Sequence, residues 1–299
     1  MMLTGLSAFP LTPLAEDRID EAAFAGLVER AAMAGVDSIT ALGSTGSYMY
    51  LDREERRRIV FLAVANAAQI PVVAGIGALR TSQVLALADD AQAAGASAVL
   101  LAPVTYQALT DEEVYSLFAD VTAELSVPLV VYDNPGTTHV DLSDDLYASI
   151  AQLPHVASIK IPGIPADPLL AAARVQAIRA RVPAAVSIGI SGDASAATGL
   201  IAGCDAWYSV IGGLLPERAL RITRAVRAGD DAAAMAESVS LQPLWALFDD
   251  YGGSYRVIAA IAEHLGLVAP DCLPRPVHGL DAVGRARVAH LVSTSGLNT

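Results

Sequence analysis

The segment VASIKIPG, residues 156–163, places a lysine inside an apolar run of the kind that forms a β-strand. Burying an ammonium without a partner is expensive, so Lys160 needs an explanation. One reading is that its stem lines a core edge while the ammonium reaches water. The other is that the amine faces a partly desolvated cleft. Its pKa then falls, and free amine becomes available as a nucleophile toward a carbonyl carbon.

Three other segments carry residues suited to work beside such an amine. VPLVVYD ends in Tyr132, which is either a packing residue or a phenol that relays protons to a carbinolamine hydroxyl. Asp133 and Asn134, just after it, read as local turn caps. In ALGSTGSYMY, Gly43 and Gly46 bracket Ser44 and Thr45. Two hydroxyls beside exposed backbone N–H groups can hold a small carboxylate without any arginine. In SIGISGDASAATG, Gly189 is small enough for a ligand to approach the backbone, whereas Asp193 reads as the cap of a following helix. Tyr106, in LAPVTYQAL, is either a barrel-mouth aromatic or an interface residue.

Other chemistries lack their signatures. The histidines, His139, His155, His264, His278 and His290, form no H-x-x-H pair and fall mostly in loops or outer helices. Cys204 and Cys272 are too few for a disulfide framework or a structural zinc site. No carboxylate pair suggests glycoside chemistry, and no G-x-S-x-G elbow follows a strand. The expectation is an amine-based mechanism with no metal and no cofactor.

The elements that must position these residues repeat along the chain. Apolar runs near Leu6 and over Asp37–Gly43, Pro71–Gly77, Ser97–Pro103, Val127–Asp133, Val156–Pro162, Ala185–Ser191 and Ala206–Gly212 read as eight strands buried on both faces. Helical stretches separate them. In Ala22–Ala34, residues Phe24, Leu27, Val28 and Ala31 recur at helical spacing, behind Asp20 and Glu21. Ser143 and Asp52 start further helices, and Arg56, Arg57 and Arg58 read as a solvated outer face. Eight strand–helix units predict an α/β fold, a closed (β/α)8 TIM barrel over residues 1–228. The first turn lacks the glycines of a dinucleotide-binding open sheet. Residues 229–299 lose the strand runs and read as a C-terminal helical extension, with helices over Asp231–Leu247, Ser254–Leu265 and Asp281–Leu291. In such a barrel, active-site groups come from the C-terminal ends of the strands, where the candidate residues lie.

Composition narrows the partners. Among 299 residues, 19 are Lys or Arg and 32 are Asp or Glu, giving a net charge of −13. That balance argues against nucleic acid and against an anionic membrane surface. The apolar fraction of 54% suffices for a large core, and no apolar stretch is long enough to span a bilayer. The start, MMLTGLSAFPLTPL, lacks the basic and long apolar regions of a signal peptide, so the expectation is a soluble, cytoplasmic protein.

Taken together, GSTG after the second strand, Y-x-N-P at the fifth, S-I-K in the sixth, SGDA after the seventh and S-V-x-G-G-L-x-P beyond the eighth resemble the dihydrodipicolinate synthase and N-acetylneuraminate lyase family. The resemblance covers about Leu3 to Leu291. It implies a class I lyase or aldolase that binds pyruvate or another 2-keto acid as a Schiff base on Lys160. Tyr132 would relay protons, Ser44 and Thr45 would hold the carboxylate, and Thr45 would pass protons to Tyr132. Gly189 and Ile190 would bring backbone to the ligand, and the assembly would be a homotetramer or dimer. The chain departs from the synthases in three places. Thr137 stands where they carry the arginine that binds a second carboxylate, Val104 and Thr105 replace an aromatic pair with Tyr106 displaced by one, and Ser47 replaces a frequent glutamate. With Thr105, Thr137 and Thr138 around the acceptor, a neutral or hydroxylated partner is expected. The alternatives are a 2-keto-3-deoxy sugar acid dehydratase or aldolase, a true 4-hydroxy-tetrahydrodipicolinate synthase, and a non-catalytic regulatory barrel.

Overall fold

The computed structural model of the chain describes residues 3–297. Its eight barrel strands are β1 (Gly5–Ala8), β2 (Ser38–Ala41), β3 (Val72–Gly75), β4 (Ala98–Leu101), β5 (Leu129–Tyr132), β6 (Val156–Ile161), β7 (Ser187–Ile190) and β8 (Ala206–Ser209). They pair in parallel in chain order, and β1 closes the barrel against β8. Seven strands fall inside the apolar runs read from the sequence, and β1 begins one residue before its run, at Gly5. Helices cover the barrel outside and side chains fill it inside, which is why the runs are apolar without strict alternation.

The barrel helices are α1 (Glu21–Ala34), α2 (Arg53–Asn66), α3 (Thr81–Ala93), α4 (Asp111–Glu124), α5 (Asp144–Ile150), α6 (Pro168–Arg179), α7 (Ala196–Ile201) and α8 (Pro216–Arg227). The predicted caps are present. Asp20 accepts from the Ala23 N–H, Ser143 accepts from the Leu146 N–H, and Asp52 and Glu55 cap α2 reciprocally. Phe24, Leu27, Val28 and Ala31 are the buried stripe of α1.

After α8 come α9 (Asp231–Ser240), α10 (Gln242–Asp250), α11 (Ser254–His264) and α12 (Ala282–Thr294). The single helix expected over Asp231–Leu247 is two. The break falls at Leu241, just before Pro243 in the first turn of α10, where a missing N–H costs nothing. Helix α9 packs on α7 and α8, and α10 reaches the turn at Asp193.

Inside the barrel, hydroxyls pair with one another: Ser7 with Thr40 at 2.7 Å, and Tyr208 with Ser158 at 2.7 Å. The register across the fifth, sixth and seventh strands sets Tyr132 beside Lys160 and Lys160 beside Gly189.

Arg56 overturns the reading of three solvated arginines. It is buried, donates to the carbonyls of Gly75 and Gly77 at 3.0 Å each, and stacks over the Tyr48 ring. The guanidinium fork thus bonds two backbone carbonyls at and just past the end of β3. Arg57 and Arg58 stay on the outer surface, paired with Glu54 and Glu21. Replacing Arg56 with alanine strands two buried carbonyls, so it should destabilise the fold by about 2–3 kcal/mol. Arg57→Ala should leave the urea unfolding midpoint in place. Equal midpoints for the two variants would show that the carbonyls find other partners.

Candidate active site

Lys160 lies near the C-terminal end of β6 and is only 4% exposed. Its Nζ sits 3.8 Å from the centroid of the Tyr132 ring, 4.1 Å from Phe9 and 5.8 Å from Tyr208. Among the described residues it makes no ion pair. Ring faces attract an ammonium weakly and do not replace water. Burial therefore pushes the amine down to about 7, against the opposing pull of the Asp193 carboxylate. The free base is therefore accessible near neutral pH. Lys160 is also the only lysine in the chain; the other 18 cationic side chains are arginines. A lone lysine in a β-strand run is a stronger signal than the run by itself, and the sequence displays it openly.

Tyr132 ends β5, and its hydroxyl lies 3.5 Å from Ser44 Oγ, at the long limit of a hydrogen bond. Asn134 Nδ2 donates to the same Ser44 Oγ at 3.3 Å. Burial pushes the phenol up to about 12, so Tyr132 stays protonated until a base forms beside it. Thr45 is buried and lines the same cavity, but the hydroxyl that meets Tyr132 is that of Ser44. The turn is tight, with the Ser47 N–H bonded to the Ser44 carbonyl at 3.1 Å, and it aims neighbouring hydroxyls differently.

The other candidates divide. Thr137 lines the cavity. Thr138 is buried and bonds the Asn134 carbonyl at 3.1 Å, and Thr105 bonds the Gln107 carbonyl on an exposed loop, so neither faces the cavity. Tyr106 is 88% exposed and does not reach the cavity of its own chain. Gly189 is small for the sake of a neighbour. A Cβ there would sit 2.2 Å from the Tyr208 ring, so the space expected for a ligand holds that ring. Ile190 is buried with its side chain against Gly199 of α7, and Ser191 and Gly192 line the cavity beyond it. Asp133 is no turn cap: it accepts a hydrogen bond from the Tyr147 hydroxyl on α5, and burial raises its carboxyl to about 6. Asp193 accepts from Trp207 Nε1, Ser209 Oγ and the N–H groups of Val210 and Ile211, fastening the loop after β8 instead of capping its own helix.

The cavity measures about 520 Å³. Its wall includes residues that sequence reasoning missed: Phe9, Tyr208, Trp245, Phe248 and Tyr255. Phe9 and Tyr208 follow the strand-end rule and were open to detection. Gly43 marks Phe9 as well, since a Cβ there would lie 2.5 Å from its ring. Trp245, Phe248 and Tyr255 come from α10 and α11 and carry no local signal. Among the described residues, Lys160 is the only cationic side chain on the wall. No group of three or more His, Cys, Asp or Glu among the described residues is placed to hold a metal ion. A larger groove of about 810 Å³ runs outside the barrel beside α1, α2 and α3, where Arg58 is paired with Glu21.

A closed β/α barrel with a desolvated amine, a phenol and hydroxyls at its mouth has the architecture of a barrel lyase. The chain belongs to the dihydrodipicolinate synthetase family, whose model matches residues 2–295. It is similar to the 4-hydroxy-tetrahydrodipicolinate synthase of Phenylobacterium zucineum, 31% identical over 299 residues covering 99% of this chain and 98% of that one. The corresponding protein of Hyphomonas neptunium is 31% identical over 296 residues, 97% of each chain. Among solved structures, dihydrodipicolinate synthase from Agrobacterium tumefaciens str. C58 superposes with a TM-score of 0.93 at 45% identity, covering 99% of this chain and 98% of that one. No helix among the described residues is long and apolar enough to cross a membrane.

If Tyr132 moves protons, Tyr132→Phe should lower turnover by about 10²–10³, the usual scale of general acid–base catalysis. The covalent adduct with a 2-keto acid should still form, more slowly. Unchanged kinetics would reduce the tyrosine to a packing role.

Proposed function

We propose that the chain is a metal- and cofactor-independent lyase that binds pyruvate or a related 2-keto acid as a Schiff base on Lys160. The observation that carries this reading is the buried amine held among three aromatic rings, with no counter-ion among the described residues. Membership of the dihydrodipicolinate synthetase family supports the lyase part of this reading. The free amine attacks the keto carbon. The carbinolamine hydroxyl leaves as water with a proton from Tyr132, which Ser44 and Asn134 hold in place. The iminium then draws electrons from C3, and the C3 proton passes to the Tyr132 phenolate, which leaves an enamine and restores the phenol. The enamine attacks an aldehyde, and water releases the product and the amine. Cleavage is the reverse. The hydroxyls of Ser44 and Thr45 hold the carboxylate of the keto acid.

A second reading concerns the partner, and the cavity wall favours it. Thr137 is neutral, and no arginine among the described residues lines the cavity. A hydroxyl cannot form the bidentate, charge-assisted pair that a second carboxylate wants. The favoured electrophile is therefore a neutral or hydroxylated aldehyde, or the substrate is a 2-keto-3-deoxy acid that is cleaved or dehydrated. The reading includes assembly into a dimer or tetramer, in which the exposed Tyr106 would be available to a neighbouring chain, and a cytoplasmic location.

Pyruvate with borohydride should add one reduced pyruvyl group, and peptide mapping should place it on Lys160. The trapping rate should rise with pH through about 7, because the ammonium below that value has no free electron pair. Labelling confined to the α-amino group, or none with any 2-keto acid, would contradict the reading. For the partner, kcat/KM for pyruvate with aspartate semialdehyde should fall below that for the best 2-keto-3-deoxy acid by about 10²-fold or more. Efficient synthesis with the semialdehyde would restore the carboxylate-bearing electrophile.

A further inference from the structure

The turn that carries Ser44 and Thr45 is strained on both sides. Leu42 has φ 60° and Ser47 has φ 59°, left-handed values that cost any residue with a Cβ. Such conformations persist where surrounding contacts hold them. Ser47 is 1% exposed, and its Oγ shares a hydrogen bond of 2.6 Å with the hydroxyl of Tyr255, 208 residues away. Ser47 is joined in turn to the carbonyl of Ser44 through its N–H, and its own carbonyl accepts from the Tyr50 N–H at 2.9 Å. Tyr255 lies in the first turn of α11, directly after Gly252 and Gly253. These glycines, at φ 68° and 128°, make the turn that brings the ring over the barrel mouth. A direct bond thus links the carboxylate-holding turn to the C-terminal helices.

We propose that Tyr255 is a positioning residue for the keto-acid carboxylate, acting through its hydrogen bond to Ser47 on the turn that presents Ser44 and Thr45. The proposal rests on the Schiff-base reading above. Ser47 supplies the hydroxyl that Tyr255 grips, and the grip keeps the strained turn in the conformation that aims its donors into the cavity. Loosening it weakens binding of the keto acid before chemistry and leaves the bound amine reaction intact. Tyr255 also lines the cavity, so a direct contact with substrate is the rival explanation.

A double-mutant cycle separates them. Ser47→Ala and Tyr255→Phe, alone and together, are compared in the full-length protein by borohydride trapping across pyruvate concentrations. Each single variant should raise the half-saturating pyruvate concentration about fivefold, the scale of one hydrogen bond. The rate at saturation should stay within about twofold, and the double variant should be no worse than either single one. Half-saturation that does not move, additive effects, or a loss at Tyr255→Phe that Ser47→Ala does not share would each overturn the proposal. Absence of an adduct in the parent protein would overturn the Schiff-base reading, and this inference with it. A normal parent adduct beside unaltered variants would overturn this inference alone.

Discussion

The architecture turns on the cost of placing an ammonium where water does not reach. Lys160 is buried beneath Phe9, Tyr132 and Tyr208 and finds no carboxylate within ion-pair distance among the described residues. Burial lowers its pKa from 10.5 to about 7. On the proposed reading, the same desolvation that would destabilise an ordinary lysine supplies free amine as a nucleophile at neutral pH. Asp193 limits the effect. Its carboxylate is close enough to favour the charged amine, yet it is engaged by four donors from β8 and the loop beyond. Burial raises its own pKa while those donors pull it down, and it makes no salt bridge with the amine.

The barrel is what makes that environment affordable. Parallel strands in register bring Tyr132 and Lys160 side by side from residues 28 positions apart. The Asp133 N–H bonded to the Lys160 carbonyl at 3.0 Å continues the ladder just past β5. The rings that dry the amine need room, and glycines supply it: Gly43 beneath Phe9 and Gly189 beneath Tyr208. The C-terminal helices complete the wall with Trp245, Phe248 and Tyr255.

Much of this was legible in the sequence for identifiable reasons. All eight strands could be read because burial on both faces leaves short β-branched runs between helical stripes. Lys160 stood out because a charge in such a run is costly, and Tyr132 and Ser44 because they follow strands. What stayed hidden depends on side-chain direction or on distant partners. Ser44 meets the phenol and Thr45 does not, because left-handed Leu42 and Ser47 shape the turn between them. Arg56 resembled its neighbours in charge order, and only the proximity of the Gly75 and Gly77 carbonyls explains its burial. Gly189 leaves room for the Tyr208 ring, a packing demand that no local pattern announces. Tyr255 reaches Ser47 across most of the chain, and no local pattern announces such a contact.

Because Lys160 is the only lysine, selective labelling reports on it without overlap. The most direct test is NMR of protein carrying 13C at lysine Cε, titrated with pH and then mixed with pyruvate. The account predicts one signal that titrates near pH 7 and shifts to an iminium-like value when pyruvate is added. A signal that titrates near the ordinary lysine value of 10.5 and ignores pyruvate would contradict it.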